Sequence, residues 1–89
     1  MSFWIIPMHI FEMPYISIND LRVYEIIYRN YLATQVPYEI DNIFKNLEKI
    51  NEKEIIKSLD YFVKNEKIRK IEKEGIVSFY LPDNIINLY

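Results

Sequence analysis

Three lysines recur at helical spacing between Asn51 and Lys64, namely Lys53, Lys57 and Lys64. At about 100° per residue they fall on one side of a helix beside Tyr61, while Ile55, Ile56, Leu59, Phe62 and Val63 gather on the other. A row of ammonium groups matches phosphate oxygens, and a lysine can also donate to a guanine edge. Lys53 and Lys57 are like charges four residues apart, a spacing that costs an isolated helix about 0.2–0.5 kcal/mol and that a bound polyanion would offset. The same row also fits a solvated face in a lysine-rich chain, with Asp60 paired to Lys64.

A second cationic group follows. Arg69, Lys70 and Lys73 lie in a stretch, Lys64 to Lys73, where five basic residues face only Glu66 and Glu72. They are placed to contact phosphates if the stretch is a hairpin, although charges there also protect an ordinary sheet edge. Glu72 and Glu74 dilute their field, so the affinity expected is modest and steeply salt-dependent. The helix with the lysine row has no arginine, which argues against bidentate reading of guanine.

Other chemistries find few residues. The chain has no cysteine, one histidine and one glycine. Thiolate sites and disulfides are thus excluded, and no glycine-rich loop cradles a phosphate. His9 lies in an apolar stretch with only Glu12 near it in sequence, a structural setting more than a catalytic one. The expectation is therefore no catalytic residue, no metal and no cofactor. Tyr24, Tyr28 and Tyr31 recur at helical spacing and read as core or interface residues.

At 89 residues, with 51% hydrophobic and 16% aromatic side chains, the chain holds material for one small core. Its formal net charge of -2 argues against a protein that coats nucleic acid by charge alone. The charge is unevenly spread: residues 1–42 carry Arg22 and Arg29 against five acids, and the remaining basic residues all come later. Many isoleucines, a preference for Lys over Arg and abundant Lys/Glu are compatible with a thermophile. The opening Phe3 to Phe11 is apolar but has no basic leader, contains Pro7 and is too short to span a bilayer, so a cytoplasmic protein is expected.

The elements that must position these residues follow from the pattern. Residues 1–16, with Pro7 and Pro14, read as an apolar arm that packs either on its own domain or on a partner. Ser17-Ile18-Asn19-Asp20 has the form of a capping box and opens a helix in which Leu21, Tyr24, Ile27, Tyr28, Tyr31 and Leu32 repeat. Val23 and Ile26 widen its apolar surface, so burial on two sides is expected. With Phe3, Trp4, Ile5 and Ile6 of the arm, these two are the candidate partner interface.

Pro37 suits the first turn of a second helix, expected over 38–49, with Ile40, Ile43, Phe44 and Leu47 on one face. Asn51, with Glu54 three residues on, caps the third helix. Two helices joined so tightly make a helix-turn-helix pair. Alternation then takes over: Ile68 to Glu72 and Ile76 to Leu81 flank Lys73-Glu74-Gly75, which reads as a hairpin loop, and Pro82 ends the second strand. Residues 17–82 thus form the domain, and 83–89 a tail.

Three helices followed by a hairpin, mainly α with a small β component, resembles the winged helix-turn-helix superfamily. Leu21 to Pro82 carries the resemblance, with Ile50 at the position of the turn's apolar residue. Leu59 to Ile68 looks like the passage from third helix to wing, except that Glu66-Lys67 stands where the family usually has Gly. Size and composition are also similar to small winged-helix proteins of thermophilic archaea and their viruses. The resemblance implies a DNA-binding transcriptional regulator, probing the major groove of double-stranded DNA with the third helix and the backbone or minor groove with the 69–77 wing. A homodimer is expected, since one small module supplies limited affinity. The alternative that the family also implies is an accessory subunit of a replication, transcription or division complex, docking on a larger protein through the arm and the first helix.

Overall fold

A computed structural model of the chain describes Met13 and residues 15–82. In chain order the elements are α1 (Ile18–Thr34), β1 (Tyr38–Glu39), α2 (Ile40–Asn46), α3 (Glu52–Lys64), β2 (Arg69–Lys73) and β3 (Ile76–Tyr80). Three helices pack with one antiparallel sheet of strand order β1-β3-β2.

The start of α1 forms as its sequence dictates. Ser17 Oγ accepts the Asp20 N–H at 3.1 Å, and Asp20 Oδ2 accepts the Ser17 N–H at 2.9 Å, which completes the capping box. Leu21, Tyr24, Ile27 and Tyr28 point into the core, where the Tyr24 ring lies 5.8 Å from Tyr28 and 5.3 Å from Phe62 of α3. Val23 is fully buried as well, so α1 is covered on two sides. That burial removes Val23 from a partner surface and leaves half-buried Ile26 as the described part of the expected interface. Phe3, Trp4, Ile5 and Ile6 lie outside the described residues, as do His9 and the tail, while Met13 is buried in the core.

The second helix is shorter than its periodicity suggests. Tyr38 and Glu39 are a strand, pairing with Phe79 and Ser78 of β3, and the helix occupies Ile40–Asn46 in place of 38–49. The chain leaving Pro37 runs extended through two ladder pairs with β3 before it turns into the helix, so pairing with β3 overrides the helical start that Pro37 suggests. The sheet therefore has three strands and not the expected two. At the other end Leu47 leaves helical geometry, and Ile50, 7% exposed, tucks under the turn. Asn46 Nδ2 donates to Tyr38 Oη at 2.6 Å, tying the end of α2 back to β1. Burial raises the Tyr38 pKa above its ordinary 10.0.

Asn51 caps α3, but its Oδ1 accepts the N–H of Lys53 at 2.8 Å and not that of Glu54. Glu54 instead accepts from Asn19 Nδ2 at 3.3 Å, so the reciprocal box expected there becomes a link to α1. The far end of α3 closes without glycine. The Lys67 N–H reaches Phe62 O at 2.8 Å and the Glu66 N–H reaches Val63 O at 3.0 Å, a Schellman motif with Glu66 at φ 59°.

The hairpin turn holds two residues where the sequence suggests three. Lys73 pairs with Ile76, and both Glu74 (φ 53°) and Gly75 (φ 82°) take left-handed backbone, the pattern of a type I′ turn. A Cβ at Gly75 would meet nothing within 4 Å, so backbone conformation, not space, makes the demand. Phe79 and Leu81 enter the core and Ile68 is buried just ahead of β2, as alternation requires.

Candidate nucleic-acid interface

The buried side chains of α3 are Ile55, Ser58, Leu59 and Phe62. At about 100° per residue, the direction opposite them is occupied by Lys53, Lys57, Asp60 and Lys64, all exposed. Three ammonium groups and one carboxylate therefore run along the outward face, with exposed Ile56 beside them. Tyr61 sits at the edge of the face, half-buried, with its ring 6.2 Å from that of Phe62. Every residue expected on the helical part of the interface thus shares one side of α3.

A brace holds this face relative to α1. Ser58 Oγ, 5% exposed as a residue, donates to Asp20 Oδ1, while the other oxygen of that carboxylate caps α1. Asn19 to Glu54 is a second link a turn away. Between the start of α1 and α3 lies a groove lined in part by Tyr15, Asn19, Lys57, Tyr61 and Lys64. Ser58 was missed in the sequence; its signal is a hydroxyl three residues after Ile55 in the middle of an apolar stripe.

The cations of the hairpin do not act as one group. All five residues of β2 are exposed, but opposite residues in the ladder share a face, and Lys70 pairs with buried Phe79. Lys70 and Glu72 therefore lie on the side of Phe79 and Val77. Arg69, Ile71 and Lys73 lie on the other, with Tyr80, Ser78 and Ile76. At the end of that second face away from the turn, the Tyr80 ring meets Tyr31 of α1, centroids 5.9 Å apart. Toward the turn the face exposes Ile71 and Ile76, 42% and 49% accessible.

No three His, Asp or Glu side chains converge to hold a metal among the described residues. Among the same residues no helix is long and apolar enough to cross a membrane. No protein-family model, curated protein or solved structure matches the chain.

Proposed function

We propose that the domain is a winged helix that binds double-stranded DNA as a regulator of transcription, with α3 in the major groove and the β2–β3 hairpin as the wing. One observation carries this reading: Lys53, Lys57 and Lys64 stand together on the face of α3 opposite its buried side. The order α1-β1-α2-α3-β2-β3, with a short strand after the first helix joined to the hairpin, supports it, as does Ile50 buried in the turn. Three phosphate contacts from α3 give a slope of log affinity against log salt of about −2.7, before any contribution from the hairpin. Titrating mixed-sequence duplex at rising salt tests this. Binding at low salt that declines with such a slope, and is lost in Lys53→Glu and Lys57→Glu, supports the reading; no binding at low salt removes it.

A second reading, docking on a larger protein through α1, draws on half-buried Ile26. It lies in a groove with Arg22, Arg29, Ala33 and Leu47. Solution mass by light scattering bears on both: a dimer supports the homodimeric regulator, and Ile26→Asp then returns a monomer if α1 is its interface.

A further inference from the structure

We propose that the hairpin meets a polyanionic backbone with one face only, that of Arg69, Ile71, Lys73 and Ile76, and that Lys70 takes no part. The inference rests on the DNA-binding reading and refines it. The ladder register carries it. Lys70 and Glu72 share the face of Phe79, two residues apart on one strand, where their opposite charges largely cancel. The opposite face of β2 and β3 bears Arg69 and Lys73 with no carboxylate. Glu39, the acid on that side of the sheet, is on β1, two strands away from Ile71 and about 9.6 Å distant. Of the two acids that in the sequence weaken the hairpin as a cationic element, Glu72 thus belongs to the other side, and Glu74 stays in the turn beside Lys73.

Charge complementarity selects the occupant. Two cations four residues apart on a strand are separated by about 14 Å, close to the axial rise of four base pairs of DNA at about 3.4 Å each. Between them on β2 stands Ile71, and directly across the ladder from Lys73 stands Ile76, both accessible and neither part of the core. A protein partner would need two carboxylates about 14 Å apart flanking an apolar patch, whereas a nucleic-acid groove supplies phosphates at its rims and apolar sugar edges between them wherever it is met. Ile76 flanks the turn and so reaches furthest.

The test uses the full chain and a duplex oligonucleotide, with affinity measured across a range of salt. Arg69→Ala and Lys73→Ala are each expected to lower the salt slope by about 1, while Lys70→Ala leaves it unchanged. Ile76→Thr keeps a β-branched side chain and is expected to weaken binding roughly fivefold with the slope intact. If Lys70→Ala lowers the slope as much as Lys73→Ala, the assignment to one face is overturned. If Lys57→Ala lowers it but neither Arg69→Ala nor Lys73→Ala does, the hairpin has no part and the role of α3 stands. A wild-type chain that shows no salt-dependent binding removes both the reading and this refinement.

Discussion

The Ser58 hydroxyl of α3 donates a hydrogen bond to the same Asp20 carboxylate that closes the capping box of α1. One side chain thereby sets both the start of the first helix and the rotation of the helix that carries the lysines. Removing the carboxylate has two effects: the Ser17 N–H loses its cap, and the Ser58 hydroxyl is left buried without its acceptor. Asp20→Ala is expected to cost about 2–4 kcal/mol by urea denaturation, against about 1 kcal/mol for Ser58→Ala. Because the two residues share one bond, the double variant is expected to cost less than the sum. Strict additivity would show that the bond contributes nothing.

The left-handed residue at the end of α3 gives a change of opposite sign. Glu66 holds φ 59°, where a side chain is disfavoured and glycine is not. Glu66→Gly is expected to stabilise the domain by about 0.5–1 kcal/mol, partly opposed by the greater freedom of glycine in the unfolded chain. Thermal unfolding should shift upward by a few degrees, about 4–8 °C per kcal/mol at this size. An unchanged or lower midpoint would mean that Glu66 makes a compensating contact.

What could be read from the sequence follows the length of each periodic signal. α1 and α3 repeat over several turns, and both were placed within a residue or two, including the Ser17 box and the Asn51 cap. β1 has two residues and no period of its own; what defines it is β3, almost forty positions later. In the hairpin a difference of one residue matters most. A loop over 73–75 pairs Glu72 with Ile76, whereas the observed turn pairs Lys73 with Ile76. Such a slip exchanges the two faces of β2. The sequence hides it because the decisive feature, positive φ at Glu74, occurs in a residue that rarely adopts it. The cations of the candidate site were therefore legible as a set but not as two faces.

Tyr38 links the fold to pH. Burial raises its pKa above 10.0, so the unfolded chain releases the phenolic proton first as pH rises. The stability tied to this group is complete below pH 10 and is lost as pH climbs from there through the higher folded-state value. Tyr38→Phe removes the group and is expected to flatten that part of the alkaline loss, as seen in unfolding midpoints taken from pH 9 to 12. Parallel curves for the two proteins would mean that burial of the phenol has no thermodynamic weight.

The sharpest contrast between stability and function lies at Lys57. It is exposed on α3, four residues after Lys53, and helps line the groove beside the start of α1. In the free protein this like-charge spacing is unfavourable by about 0.2–0.5 kcal/mol, Glu54 and Asp60, each three residues from Lys57, offset it, and alanine is the better helix former. Lys57→Ala is therefore expected to change stability by no more than a few tenths of a kcal/mol. If the domain binds duplex DNA as proposed, the same substitution is expected to lower the salt slope by about 1 and the affinity about tenfold at moderate salt. A substitution that leaves the free domain's stability intact and weakens the complex would mark a residue placed for its ligand. Should Lys57→Ala leave duplex affinity and slope at wild-type values, the lysine row is only a solvated surface, and α3 does not enter the groove by this face.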